Sequence, residues 1–253
     1  MPELVPWLGV ATILSLGIFV QAAAGFAAGL LIIPTMLWMG YPIPEASMAL
    51  LVATVPQNLF GVYSLRESIE PKRLTWPGLG RISFLPLGVL ALAWVEQNYP
   101  VIRIRQFVGA VVLTVTIATI LYNPKPRASL HPGWGLLAFP TSGFLQGLVG
   151  MGGPAMVFWV TAHDWDARRI RGFLFGMYTI SLVPAFLCLY LRFGDRVSES
   201  AFMAALTIPS LLLATWLGLK FGDWLGRERL RRVTLGLLLL MGLVGLASPW
   251  IQS

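Results

Sequence analysis

Residues 4–39 carry no charged side chain, an apolar run of 36 residues. One membrane crossing takes about 20 residues, so this run is too long for a single ordinary span. Gly25 and Gly29 stand near its middle and Pro34 follows. Glycine lets a helix stop and the backbone turn. The run therefore reads as two shorter helices, about 5–23 and 27–39, joined by a small-residue break.

The device recurs. Phe19-Val-Gln21-Ala-Ala-Ala-Gly25 and Phe144-Leu-Gln146-Gly-Leu-Val-Gly150 superimpose after a shift of 125 residues, which also brings Thr54 onto Thr179. Gly on Gly alone would mean little in a background of Leu, Ala and Gly, but Gln is rare in this chain and recurs in register. The second uncharged run, about 134–162, is interrupted by Gly150, Gly152, Gly153 and Pro154. The pattern reads as an internal duplication, each copy placing a break and one amide inside an apolar segment. In membrane carriers, interrupted helices at corresponding positions of two halves point to the binding site.

Composition fixes the solvent. The chain is 57% hydrophobic and 11% charged, with mean hydropathy +0.75, against about 25% charged residues in soluble domains. It cannot cover itself with a polar surface and reads as a polytopic membrane protein. The first apolar run has no basic residues ahead of it and no small-residue cleavage site after it, so it is a membrane segment and not a signal peptide. The net charge of +7 is spread over short loops, which argues against nucleic acid as a partner. A lone Cys188 excludes an intrachain disulfide, and two distant histidines make no metal site. Nothing calls for a cofactor. No nucleophile, acid and base converge, so the chain does not read as an enzyme.

Further spans are expected at about 46–64, 78–95 and 106–122, and in the second half at about 171–191, 201–221 and 233–250. The Pro-rich Asn123-Pro-Lys125-Pro-Arg127 divides the chain into repeats 1–127 and 128–253. Orientation tests the breaks. If each long run crossed the membrane once, the eighteen Lys and Arg would divide eight against ten. If each is a hairpin entering and leaving on one side, fourteen share a face, Arg81 among them, and Arg103, Arg105, Arg192 and Arg196 lie opposite. The positive-inside rule selects the hairpins. Each half then has a broken or re-entrant helical hairpin plus three transmembrane helices, an odd number of crossings. The expected fold is thus all-α, with two inverted structural repeats and both termini outside.

A hairpin tip in the bilayer leaves backbone N–H groups unpaired, which is tolerated only inside protein or against a water-filled cavity. Helices beginning after Gly25 and Gly153 would aim positive dipole ends at such a cavity, an arrangement suited to an anion. No Lys or Arg is required, and on this reading of the spans none lies near mid-membrane. Gly25, Gly29, Gly150, Gly152 and Gly153 would let a ligand approach the backbone; the plainer use of such glycines is helix packing. Gln21 and Gln146 either donate to substrate oxygens or hydrogen-bond across the helix interface. Thr54, Gln57 and Asn58 cluster beside Pro56, and Tyr178, Thr179 and Ser181 precede Pro184. These groups would line a path, or bond back to their own helices. Trp159 and Trp165 read as interface-belt residues, and His163 as a polar residue at the membrane surface.

The segments Gly25-Phe-Ala-Ala-Gly29-Leu-Leu-Ile-Ile-Pro34 and Gly147-Leu-Val-Gly150-Met-Gly152-Gly153-Pro154, with the duplicated architecture, resemble the TauE/SafE sulfite exporter family of membrane permeases. The first motif of that family is richer in glycine, where Ala27 and Ala28 stand here, and Pro154 replaces a further glycine. The resemblance implies transport of small sulfur-containing anions such as sulfite, sulfonates or sulfoacetate-like organosulfonates across a bacterial inner membrane. The expected protein is a secondary carrier working by alternating access around a midplane anion site, more readily an exporter. Its partners are a small anionic substrate and the lipid bilayer, with a homodimer left open. The competing readings are a non-transporting membrane subunit whose glycines only pack helices, and an uptake permease for another small organic anion.

Overall fold

The computed structural model describes residues 4–24, 27–121, 127–225 and 227–251. Among them the chain is helical throughout. The first half holds α1 (Leu4–Ala24), α2 (Ala28–Trp38), α3 (Ile43–Ser64), α4 (Pro71–Asn98) and α5 (Val101–Leu121). The second holds α6 (Pro132–Val149), α7 (Gly153–Thr161), α8 (Ala167–Phe193), α9 (Asp195–Leu206), α10 (Ile208–Leu225) and α11 (Arg227–Ile251). One backbone bridge joins Arg127 to His163. Four helices, α3, α4, α5 and α8, are long and apolar enough to cross a membrane, and the pair α9–α10, bent by 60°, would make a fifth.

Both long apolar runs break, as their glycines require. α1 ends at Ala24, and Gly25 lies outside the described residues. Ala27 then takes a left-handed conformation, φ 96°, before α2 begins, a cost of roughly 1–2 kcal/mol for a residue with a Cβ. α6 closes on Gly150, also left-handed, with Gly150 N–H donating to the Gln146 carbonyl and Met151 N–H to that of Leu145. This is the glycine stop of a helix C-terminus.

After each break the chain doubles back. A Cβ built on Gly17 would lie 2.3 Å from Ile32, and one on Gly9 would lie 2.7 Å from Met39, the nested pairing of two antiparallel helices. On the other side of the molecule Phe139 packs on Trp159, and Arg127 exchanges backbone hydrogen bonds with Ala162 and Asp164. At 1.5 Å per residue α2 and α7 are roughly 16 and 13 Å long, too short to cross a ~30 Å hydrocarbon core. α2 is apolar on every side and nearly all of it is buried, as befits a helix inside a bundle.

Packing pairs α4 with α6, α1 with α10, α5 with α11, and α3 with α8 and α9. Leu59, Leu90, Leu191 and Leu240 face outward, as lipid-facing side chains do. Several helices start ahead of the expected spans, α5 at Val101 and α11 at Arg227 among them. α4 starts at Pro71, two turns before the apolar run, and the span expected at 201–221 starts at Asp195 and bends at Thr207. Pro209 accounts for the bend, since it lacks an N–H and its ring crowds the carbonyl four residues back.

Candidate functional site

Both breaks open on one cavity of about 60 Å³, room for about four waters. α3 presents Leu50, Leu51, Thr54 and Asn58 to it, and α8 presents Tyr178, Ser181, Leu182 and Ala185. Spacings of three and four place each set on one helix face. Gln21 and Gly29 reach the cavity from the first break, Gln146, Gly150 and Gly153 from the second. Nine of the expected residues thus meet at one place. Gln57, Gly152 and Thr179 do not line it.

The remaining polar contributor is Arg81 of α4, 1% exposed. Its Nε donates to Ser181 Oγ at 3.0 Å and its Nη2 to Gln146 Oε1 at 3.2 Å. Nη1 donates to Ser142 Oγ and, at 3.4 Å, to the Gly152 carbonyl. The Tyr178 ring lies 5.8 Å from the guanidinium carbon, within cation–π range. Every one of these partners is neutral, and no Asp or Glu is among the described residues lining the cavity. Burying a charge costs several kcal/mol unless another charge answers it.

The expected site needs no Lys or Arg, but Arg81 is buried at the cavity. It lies ten residues into α4, about 15 Å along the helix axis. Without Arg81, thirteen of the Lys and Arg would share the expected basic face against four.

Glycine on both helices brings Arg81 to its partners. A Cβ on Gly143 would lie 1.9 Å from the Arg81 carbonyl oxygen, one on Gly147 2.3 Å from that of Leu85, and one on Gly88 2.1 Å from that of Phe144. α4 and α6 therefore touch backbone to backbone. Ser142 and Gln146, each one residue before these glycines, fall within reach of the guanidinium. Sequence reading missed both Arg81 and Ser142. The signal was present as two small-residue positions four apart, each preceded by a hydrogen-bonding side chain, facing a segment with one Arg inside an apolar stretch.

The two glutamines repeat one role. Ala28 N–H donates to Gln21 Oε1 at 3.3 Å, and Gly152 N–H donates to Gln146 Oε1 at 3.2 Å. Each amide oxygen closes an unpaired N–H at a helix start, leaving its –NH2 end as the donor it can offer. The hydroxyls are committed elsewhere. Thr54 donates to the Leu51 carbonyl, Thr179 to that of Phe175, Ser181 to that of Met177 and Ser142 to that of Gly152. Back-bonding thus holds for Thr54, Thr179 and Ser181, and an anion must draw its donors from Arg81, the amides and Tyr178.

The glycines divide between packing and the cavity wall. Gly29 carries tip-to-tip packing, since a Cβ there would lie 2.9 Å from the Gly150 carbonyl. At Gly152 a Cβ would lie 2.4 Å from the Ser142 carbonyl and 2.8 Å from Arg81 Nη1. Behind the wall, Gln57 is buried and neither end of its amide has a protein partner.

An all-helical chain with several membrane-length helices, two doubled-back breaks and a buried cation in the cavity between them has the make-up of a multi-pass membrane permease. The chain belongs to the sulfite exporter TauE/SafE family, whose model matches residues 10–244. A protein of Cupriavidus necator named "Probable sulfite/organosulfonate exporter TauE" is 22% identical over 253 residues, covering 98% of each chain. No solved structure matches the chain.

Proposed function

We propose that this protein exports small sulfur oxyanions, sulfite or organosulfonates, across a bacterial inner membrane. The observation that carries the reading is Arg81, a buried guanidinium held by neutral groups alone beside the meeting point of the two breaks. An anion supplies the missing charge. The family and its Cupriavidus necator member support the sulfur chemistry. A negative ion leaving a cell with a negative interior gains roughly 2.3 kcal/mol per charge per 100 mV, so export needs no coupling ion.

The two halves work as inverted repeats, 1–127 and 128–253, that rock about the cavity to open it to each side in turn. The packing supports this. A shift of 125 residues carries α4 onto α9–α10 and α5 onto α11, so the contact of α1 with α10 has its counterpart in that of α6 with α4. Likewise α3 on α9 answers α8 on α4, while α5–α11 and α3–α8 map onto themselves.

The test is the thermal stability of the purified protein in detergent against sulfite, ethanesulfonate, sulfate, acetate and chloride. A ligand at one hundred times its Kd adds about 2.7 kcal/mol. A sulfur anion should raise the Tm of the wild type. Arg81→Met should stay folded, because it removes a buried charge that no other charge answers, and should lose the response. A folded wild type that answers to none of the anions would refute the reading.

A further inference from the structure

α3 and α9 begin, and α4 and α8 finish, at one end of the molecule. There Arg196 Nη2 lies 3.4 Å from Glu45 Oε1, and its Nη1 lies 3.8 Å from Glu96 Oε2. Both carboxylates are largely covered, with side chains 20% and 16% exposed. Arg192 of α8 stands within electrostatic range of Glu96, and Glu199 of α9 within that of Glu45. Each of the four helices thus carries charge at this end.

Beneath the charges lies one buried apolar cluster, to which α3 gives Met48, α4 Leu85, α8 Leu189 and α9 Val197. Leu51, Leu182 and Ala185 belong to the cluster and also line the cavity. Along α3, Leu51, Met48 and Glu45 follow one another at intervals of about one turn, as do Ala185, Leu189 and Arg192 along α8. The order is cavity, apolar cluster, charge. An anion passing between the cavity and this end must therefore part the four helices.

Resting on the reading that the cavity opens to each face in turn, we infer that this layer is the gate on the face opposite the basic one, with Arg196 as its latch. The apolar side chains give a hydrated ion no hydrogen-bonding partner, and the ion pairs hold α9 against α3 and α4. Arg196 is itself 52% exposed, and exposed pairs hold weakly, which suits a contact that must break in every cycle. The joint has a counterpart at the other end, where Arg169 of α8 pairs at 2.5 Å with Glu70 beside the start of α4. A shift of 125 residues carries the start of α3 onto that of α8, and the start of α4 onto that of α9. The joint of α3 with α9 is thus the repeat of the joint of α8 with α4.

The test is the reactivity of a cysteine at the boundary of cavity and cluster, Leu51→Cys in a Cys188→Ala background, towards a small membrane-impermeant methanethiosulfonate. It needs no substrate, so its outcome is independent of the sulfur chemistry. With Arg196 intact, labelling in right-side-out vesicles should be slow. Arg196→Gln should raise that rate about fivefold, the measure of one ion pair at the upper end of the exposed range, and leave the rate in inside-out vesicles no faster. Combining Arg196→Glu with Glu96→Arg keeps one cation between two carboxylates and should restore slow labelling. Equal rates with and without Arg196, or faster labelling from both faces as in a merely loosened fold, would overturn the latch and leave alternating access standing. A cysteine reached only from the basic face in every variant would show that the cavity never opens at this end, and alternating access would fall together with the gate. Ala185→Cys on α8 is the second reporter, read in the same way, should Leu51→Cys fail to fold.

Discussion

His163 stacks between Trp159 and Trp165, with ring centroids 4.1 and 4.5 Å away, and its Nδ1 lies 3.0 Å from the Trp159 carbonyl. Burial lowers its pKa below the ordinary value of 6.5, and Arg73 and Arg169 push the same way, against a raising contribution from the Trp159 carbonyl. Between the lowered folded value and 6.5 the unfolded chain binds more protons than the folded one, so stability rises with pH there. The contribution is complete above about 6.5 and is lost as pH falls through the folded pKa. His163→Phe keeps the ring stack and removes both the titration and the hydrogen bond. The variant should be less stable by about 1 kcal/mol at pH 7.5, with the gap narrowing towards pH 5 in Tm measurements. An unchanged gap would show that His163 stays neutral throughout. Arg81 shows how much of this scale the sequence carries. Its charge is plain, but its depth depends on where α4 begins, and an Arg at the edge of an apolar run normally reaches back to the headgroups. Pro71 at the first turn of α4 was the only local sign that the helix starts early.

Helices and their breaks were the legible elements, because uncharged runs and glycines dictate them directly. The course of α2 and α7 back along their partners was legible only through the balance of Lys and Arg, and the bend at Thr207 was hidden inside an otherwise continuous apolar pattern. The α4–α6 contact was not legible, since Gly88, Gly143 and Gly147 look like many other small residues in this chain until their partners are known. Its importance can be measured. In Gly143→Leu the new Cβ would meet the Arg81 carbonyl, a backbone atom that cannot turn aside. The helices must separate, at a cost of at least about 3 kcal/mol, and Ser142 and Gln146 move away from the guanidinium. Tm should fall sharply and any anion response should vanish. Gly236→Leu is the control, because nothing lies within 4 Å of a Cβ there, and it should leave both quantities near wild type. Equal loss in the two variants would mean that leucine in place of a helical glycine, and not helix contact, sets the result.

For the whole molecule, the two doubled-back breaks decide which loops share a side of the membrane. The Arg127–His163 bridge places the entry of the second hairpin beside its exit. The loop around Glu67 follows α3, and the loop around Asp195 follows α8. If both breaks are hairpins, Glu67 and Asp164 lie on the basic, cytoplasmic face and Asp195 lies on the other. If the second run crossed the membrane instead, Asp164 would change sides. Single cysteines at these three exposed positions distinguish the two topologies in a background where the native Cys188, itself partly buried, is replaced by Ala. A membrane-impermeant maleimide should label Glu67→Cys and Asp164→Cys in inside-out vesicles alone, and Asp195→Cys in right-side-out vesicles alone. Labelling of Asp164→Cys from the side opposite Glu67→Cys would make the second break a kinked span. The proposed inverted repeat, and with it access to the cavity by rocking, would then fall.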